Sequence, residues 1–136
     1  MEMKSVNEKV VEEFRANGGK VSMFDYPLVI LHTIGRKTGD THLVPLGLIY
    51  NEHDEIMLYG TFVGSKTDPI WAHNLRANPE INVEIAAETF AARIEELSLE
   101  EAEIEANKMA AKFDQFGEYI KSAAPRPIPV FKVQRV

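Results

Sequence analysis

Apolar residues recur at helical spacing near the start of the chain and again near its end, with strand-like runs between them. A short amphipathic helix within residues 1–20 is predicted by the spacing of Val6, Val10, Val11 and Phe14. A longer helix is predicted over residues 98–122, because Ser98 and Glu101 form a capping box ahead of apolar positions at helical spacing. The helices therefore flank a region of strands.

The strand-like runs are short and are separated by turn residues. Residues 28–34, LVILHTI, are apolar and rich in β-branched side chains, as in a buried strand. Residues 41–50 predict a second strand that carries Pro45 and Gly47, which are typical of an edge, a bulge or a close backbone approach to a ligand. Further strands are predicted at residues 56–62, 81–86, 89–95 and 128–134.

About six strands joined mostly by short turns favour antiparallel pairing. Closure into a barrel removes the free edges of such a sheet. We therefore expect a mainly β protein with flanking helices, a split β-barrel of about six mostly antiparallel strands. Residues 1–136 are expected to form a single domain, with the main barrel strands at 28–95 and the last strand at 128–136.

Composition excludes several classes of protein. The 136 residues contain no Cys, which excludes disulfide scaffolds, thiolate metal sites and cysteine nucleophiles. No apolar run approaches the ~20 residues that span a bilayer, and the first residues lack the apolar segment of a secretion signal. We expect a cytoplasmic protein without stable membrane insertion.

The formal net charge is −6, and it is unevenly distributed. Six acidic residues and no basic ones lie between Glu95 and Glu105, and the rest of the chain has 15 acidic against 15 basic residues. An acidic excess argues against nucleic-acid binding. The cluster falls at the start of the predicted long helix, where carboxylates interact favourably with the helix dipole.

Motifs for several kinds of chemistry are missing from the sequence. It contains no glycine-rich nucleotide-binding motif and no G-x-S-x-G nucleophile elbow. The four histidines lack the spacing of a metal site, so no metal is expected. His32 is predicted to be a hydrogen-bonded residue within a strand, and His53 to be solvated in a turn.

One turn carries adjacent cations. Residues 35–39 read GRKTG, so that Arg36 and Lys37 lie between two glycines after an apolar strand. Backbone N–H groups, a guanidinium and an ammonium together suit phosphate or carboxylate. The alternative is an ordinary solvated hairpin tip. His42, just across the turn, and Lys66, in a second polar loop, favour a binding role.

A second motif follows that loop. Residues 69–75 read PIWAHNL and predict a short helix after Pro69. Trp71 and Leu75 lie one turn apart and pack inward together, while Asn74 faces the start of the helix. Trp71 either anchors the helix to the barrel or forms one wall of a site for a flat ring.

These blocks together resemble the deazaflavin-dependent nitroreductase-like family, split β-barrel reductases that use coenzyme F420. The resemblance rests on LHTIGRKTG at residues 31–39, on the following V-P-L at 44–46, and on PIWAHNLRANPEINV at 69–83. The order and spacing of the blocks match the family across residues 28–83.

The resemblance implies a hydride transfer from the reduced deazaflavin to an electron-poor small molecule such as a quinone, an activated alkene or a nitro compound. It implies that the anionic tail of the cofactor lies on the turn and the ring in the barrel groove. Carried over by position, the cofactor-binding residues are Arg36, Lys37, Thr38, His42, Pro45, Leu46, Gly47, Thr61, Gly64, Lys66, Trp71, Asn74 and Leu75. The substrate-facing residues are Phe113, Phe116 and Tyr119, and Tyr119 is also a candidate proton donor.

Three positions depart from the family pattern. His42 stands where the family usually has Arg, the loop around Gly64 lacks a Ser-x-Gly-Gly sequence, and Phe116 stands where Tyr is frequent. Two alternatives stay open: a split-barrel reductase that binds flavin mononucleotide, whose phosphate would suit the same turn, and a non-catalytic carrier of the deazaflavin. A homodimer is also possible.

Overall fold

The structure is a computed structural model, and it describes residues 5–136. One antiparallel sheet of seven strands has the order β2-β1-β5-β6-β7-β4-β3. The strands are β1 (Leu28–Ile34), β2 (Thr41–Gly47), β3 (Ile49–Tyr50), β4 (Ile56–Tyr59), β5 (Glu80–Ile85), β6 (Glu88–Glu96) and β7 (Val130–Arg135). The helices are α1 (Val6–Ala16), α2 (Ile70–Ala77), α3 (Leu99–Lys112) and α4 (Asp114–Ala123).

The two edge strands of the sheet are consecutive in the chain. Gly47 ends β2 and Ile49 begins β3, so only Leu48 separates the two edges. Because Cα atoms two residues apart lie at most about 7 Å from each other, the sheet has to curl until its edges approach. The result is the half-barrel with flanking helices that the sequence predicts.

The single strand predicted over residues 41–50 is therefore wrong, and its break has a visible cause. The Leu48 N–H donates to the Pro27 carbonyl at 2.9 Å rather than continuing the ladder. Pro45 lies on β2, at the edge of the sheet, where a missing N–H donor costs nothing.

Alternate residues of β1 face two different cores. Val29 and Leu31 pack into the interior of the half-barrel, whereas Leu28 and Ile30 pack against α1 on the outside. All four side chains are buried. A strand covered on both faces reads as a continuous apolar run, which explains the sequence LVILHTI.

Helix α1 is also attached to the sheet by charge. The Glu84 carboxylate on β5 is buried and accepts hydrogen bonds from Arg15 of α1 at 2.8 and 3.1 Å. His32 Nε2 lies 2.7 Å from the same carboxylate. His32 is thus the hydrogen-bonded strand residue that the sequence predicts. Of the helix predicted within residues 1–20, residues 1–4 lie outside the described part of the chain.

The helix predicted over residues 98–122 is two helices. Phe113 is extended, with φ −133° and ψ 114°, and separates α3 from α4. Residues seven apart on one straight helix lie about 10 Å from each other, yet a Cβ on Gly117 would lie 3.7 Å from the Ala110 side chain. The chain bends at Phe113 because both helices then bury side chains in one cluster, which includes Ala106, Met109, Phe116 and Ala123.

The start of α3 follows the predicted capping box. The Ser98 side chain accepts a hydrogen bond from the Glu101 N–H at 3.2 Å. Two carboxylates, Glu100 and Glu101, lie in the first turn, where they suit the positive end of the helix dipole. Within residues 5–136, no helix is long and apolar enough to cross a membrane.

Candidate functional site

The Arg-Lys turn joins β1 to β2 and closes through its glycines. The Gly35 N–H donates to the Asp40 carbonyl, and the Gly39 N–H donates to the Gly35 carbonyl, each at 2.8 Å. Gly39 has φ +78°, a left-handed conformation that favours glycine. The flanking hydrogen bonds leave Arg36, Lys37 and Thr38 exposed at the tip.

Two asparagines, one in helix α2 and one directly after it, hold this turn in place through hydrogen bonds. The Asn74 side-chain oxygen accepts a hydrogen bond from the Arg36 backbone N–H at 3.0 Å. The Asn78 amide donates to the Ile34 carbonyl at 3.3 Å. Asn74 is 5% exposed, so its side chain is part of the support of the turn. The family resemblance implies that Asn74 is a cofactor-binding residue. In the structure, its side-chain oxygen accepts a hydrogen bond from the backbone of the turn.

The cations of the turn are available to a ligand. Within residues 5–136, neither the Arg36 guanidinium nor the Lys37 ammonium has a hydrogen-bonding or ion-pairing partner. Most other arginines of the chain are paired, for example Arg76 with Asp68 and Glu96. Two unpaired cations on a fixed turn can bind a phosphate or carboxylate with charge-assisted hydrogen bonds.

Thr38 and His42 complete this surface. The Thr38 hydroxyl accepts a hydrogen bond from the Asp40 N–H at 3.2 Å, which holds the turn closed. A Cβ on Gly35 would lie 2.8 Å from that hydroxyl and 3.3 Å from His42 Nε2. The exposed His42 ring therefore lies against the turn. A groove of about 370 Å³ reaches Ile34 and Thr41, the last residue pair before the turn.

Strand β2 carries the next three predicted residues at its end away from the turn, where Gly47 pairs with Leu28. Leu46 packs against the interior of the half-barrel, together with Val44. Pro45 lies between them in the sequence, and successive side chains of a strand point to opposite faces. Pro45, Leu46 and Gly47 are all half-buried. Among these three, the side chain of Leu46 is the one on the interior face.

The second loop carries Thr61, Gly64 and Lys66. The strand predicted over residues 56–62 is too long, because β4 ends at Tyr59, so the loop spans residues 60–68. Thr61 is half-buried and precedes a short turn at Phe62–Gly64. Gly64 is buried against α4: a Cβ there would lie 2.7 Å from the Ser122 Cβ. The Lys66 ammonium donates to the Ala124 carbonyl just after α4. Gly64 and Lys66 therefore join the loop to α4, which explains both residues without a ligand.

Arg126 is a residue of this region that sequence reasoning missed. Its side chain is 9% exposed and donates to the Asp68 carboxylate at 2.8 Å as well as to carbonyl groups of the loop. Asp68 also pairs with Arg76, whose pKa is held above its usual range chiefly by its hydrogen bonds to Glu96. The neighbouring sequence APRPIP gives no signal, because only the fold brings Arg126 to residues about 60 positions earlier.

Helix α2 carries Trp71 and Leu75, which were predicted to line the site for the cofactor ring, and part of this lining lies in the core. Leu75 is 1% exposed and belongs to the main core. Trp71 is half-buried, with its ring centroid 5.7 Å from that of Phe131 at an interplanar angle of 58°. Trp71 therefore packs on β7 and keeps part of its ring accessible.

The three predicted substrate-facing residues have different surroundings. Phe113 is 56% exposed at the break between α3 and α4. Phe116 is buried, and its ring lies edge-on to that of Tyr59 with centroids 5.3 Å apart. Burial, with Glu105 nearby, raises the pKa of Tyr59 to about 12. Tyr119 is half-buried and, among the described residues, has no hydrogen-bonding partner for its hydroxyl.

Within residues 5–136, no three His, Asp or Glu side chains come together as metal ligands. Fold and site define a split half-barrel protein whose anchored cationic turn suits an anionic ligand. The sequence profile of the F420H(2)-dependent quinone reductase family matches residues 6–135. The chain therefore belongs to this family, and the resemblance to deazaflavin reductases is confirmed.

Known proteins and structures agree with this assignment. An F420H(2)-dependent quinone reductase of Mycobacterium tuberculosis is 30% identical over 64 residues, which are 47% of this chain and 42% of that protein. The match thus covers less than half the length of the relative. The solved structure of an F420-H2 dependent reductase, FDR-A, has a TM-score of 0.67 and 28% identity, over 85% of this chain and 100% of the other. A structure described as a domain-swapped dimer has a TM-score of 0.69 and 27% identity, over 95% and 96% of the two chains.

Proposed function

We propose that this protein is a reductase that binds reduced coenzyme F420 and uses it to reduce a quinone. The observation that carries the proposal is the anchored turn, on which Arg36 and Lys37 have no partner within the described residues. The family and FDR-A are both named for F420H2, which favours the deazaflavin over flavin mononucleotide.

The residues of the site fit the chemistry of such a cofactor. Arg36, Lys37 and Thr38 would hold its anionic tail, with His42 beside them. Leu46 and the accessible part of Trp71 would contact its ring. When bound, the reduced deazaflavin supplies a hydride, and a proton completes the two-electron reduction of quinone to quinol. Because the cofactor supplies this chemistry, the protein needs no nucleophile or metal of its own.

Helix α4 would form the side from which the acceptor enters. Phe113 is exposed directly before this helix, and Tyr119 on it is half-buried, with a hydroxyl that has no partner among residues 5–136. We assign Phe113 to contact with the acceptor and Tyr119 to proton donation. The buried Phe116 supports this surface from within. Activated alkenes and nitro compounds are further acceptors, since they also accept a hydride at an electron-poor centre.

A homodimer is part of the proposal, and the structural similarity to a domain-swapped dimer supports it. Among residues 5–136, the edge strand β2 pairs with a strand on one side only. An unpaired edge is a surface on which a second chain can add a strand. Sedimentation at several concentrations measures the state of the protein in solution.

A direct test is titration of the purified protein with coenzyme F420 and, separately, with flavin mononucleotide, followed by quenching of the single Trp71. We expect F420 to quench and flavin mononucleotide to have little effect. Binding of flavin mononucleotide alone would refute the proposal. A second arm measures oxidation of bound F420H2 by a quinone, an enone and a nitroarene. Binding without turnover by any of the three would show a carrier instead of a reductase.

A further inference from the structure

We propose that Arg126 is a positioning residue that holds the loop of residues 60–68 in a strained conformation, ready for the cofactor. The proposal rests on the proposed function for its cofactor, whereas its structural part concerns this chain alone. Arg126 lies between the end of α4 and the start of β7, outside the motifs that mark the site.

The guanidinium of Arg126 donates four hydrogen bonds to the loop. It donates to the carbonyls of Gly60 at 3.0 Å, Thr61 at 2.8 Å and Ser65 at 2.9 Å. A fourth hydrogen bond, of 2.8 Å, goes to the Asp68 carboxylate. The side chain is 9% exposed. A buried cation therefore links both ends of the loop through their main-chain oxygens.

The segment between those carbonyls is conformationally strained. Phe62 and Val63 both have φ +45°, and Gly64 has φ +80°. Positive φ is rare for residues with a Cβ and is an outlier for a β-branched side chain. Phe62 is 49% and Val63 is 72% exposed, so burial of their side chains does not explain the conformation. Strained backbone persists where the surroundings hold it, and it is concentrated at functional sites.

Arg126 also connects the loop to the helix on the acceptor side. Its own backbone N–H donates to the carbonyl of Ala123, the last residue of α4. The loop carries Thr61, α4 carries Tyr119, and Phe113 directly precedes α4. Loss of the guanidinium would therefore loosen the two walls of the proposed site relative to each other. A wall that has to be ordered on binding lowers the affinity for the ligand.

The planar fork of the side chain is essential to this role. Arg presents five N–H donors in a fixed plane, whereas Lys presents one ammonium at the end of a flexible stem. In an Arg126→Lys variant the charge beside Asp68 remains, but the ammonium cannot reach carbonyls on both ends of the loop at once. Arg126→Met removes charge and donors together.

The test compares both variants with Arg93→Lys, a control on β6 whose side chain is 64% exposed. Amide hydrogen exchange is measured in the protein without cofactor. We expect exchange at Gly64 and Ser65, whose N–H groups donate within the loop, to accelerate about tenfold or more, the equivalent of one lost charge-assisted hydrogen bond. Hydrogen exchange at amides between the paired strands β1 and β5 should change only as far as the global stability of the protein changes.

A second arm separates positioning from simple stabilisation. With F420 and a quinone, Arg126→Lys should raise the KM for F420H2 about tenfold or more while kcat falls less. Equal loop exchange in the variants and the wild type would overturn the proposal, as would an unchanged KM with faster global unfolding. If the wild type fails to bind F420, the proposed function is refuted, while the exchange result still decides whether Arg126 holds the loop. If Arg126→Met does not fold, Arg126→Lys decides both arms.

Discussion

The side chain of Asn74, on helix α2, accepts a hydrogen bond of 3.0 Å from the backbone N–H of Arg36, at the tip of the β1–β2 turn. This bond joins two sequence motifs that lie 38 residues apart. It fixes the backbone of Arg36, the first cation of the turn, while the Arg36 side chain is exposed to solvent. The asparagine of the PIWAHNL motif therefore supports the turn that we propose as the binding site.

Replacement of Asn74 by Ala should loosen this turn and weaken folding. The Arg36 N–H is partly buried, and a donor left without an acceptor costs roughly 1–3 kcal/mol. We expect the free energy of unfolding to fall by about that amount in urea titrations. Asn82→Ala, on an exposed position of β5, is the matched control and should change stability by less than about 0.5 kcal/mol. Equal effects of the two substitutions would contradict the support role of Asn74.

The double variant Arg36→Ala with Lys37→Ala should fold normally and bind F420 weakly. Both side chains are exposed and unpaired within residues 5–136, so their removal breaks no bond of the folded state. A charge-assisted hydrogen bond contributes about 1.5–3 kcal/mol, and we expect binding, measured by Trp71 quenching, to weaken by a few kcal/mol.

The control for this variant removes two exposed cations elsewhere, Lys20 and Lys112. It loses the same net charge and should keep its affinity for F420. Affinity of the wild type should also fall as salt is raised, because exposed charges are screened. If the double variant binds as tightly as the control, the turn is a solvated hairpin tip.

The fold was predictable from the sequence where local patterns suffice. The apolar run at 28–34 and the alternation at 81–95 became β1, β5 and β6 nearly at the predicted bounds. The turn between β5 and β6 lacks glycine, and Ala86 adopts φ 52° in its place. The break at Leu48 was not predictable, because it depends on a bond to Pro27 that exists only in the curled sheet.

The candidate site was predictable at the level of its motifs but not of its contacts. GRKTG marks the turn in sequence, and the structure leaves its cations exposed. The roles of Gly64, Lys66 and Arg126 depend on the approach of α4 to the loop at 60–68, and no local pattern shows that approach. The same reason explains Phe116, whose position at helical spacing does not show that Tyr59 lies beneath it.

Two phenylalanines of the α3–α4 region should differ in how much their substitution by alanine lowers stability. Phe116→Ala removes a buried ring from its edge-on contact with Tyr59 and should lower stability by about 3–5 kcal/mol. Phe113→Ala removes an exposed ring and should change stability by less than about 0.5 kcal/mol. With a quinone, Phe113→Ala should raise the KM for the acceptor. Thermal unfolding and steady-state kinetics distinguish the effects, and a stable Phe116→Ala protein would contradict the packing.

The buried Glu84 should make stability depend on pH in the acid range. Hydrogen bonds from Arg15 lower the pKa of Glu84, burial opposes them, and His32 adds to the lowering. A carboxyl whose pKa is lower in the folded than in the unfolded protein stabilises the fold above its unfolded pKa, and this contribution is lost as pH falls through the folded pKa. Urea titrations between neutral and acid pH should show this loss. Glu84→Gln should be less stable at pH 7 by about 1–3 kcal/mol, with a flatter pH profile.

Two glycines with nearly the same φ test whether the loop packs against α4. Gly39 has φ +78° and Gly64 has φ +80°, and alanine at such a left-handed φ costs about 1–2 kcal/mol at either position. A Cβ at Gly39 would meet nothing within 4 Å, whereas one at Gly64 would lie 2.7 Å from the Ser122 Cβ and 3.2 Å from the Tyr119 carbonyl. Gly64→Ala should therefore cost clearly more in unfolding free energy than Gly39→Ala. It should also push α4 away from the loop and lower kcat, because Tyr119 lies on that helix. Equal costs at the two glycines would show that α4 does not contact the loop as the structure has it.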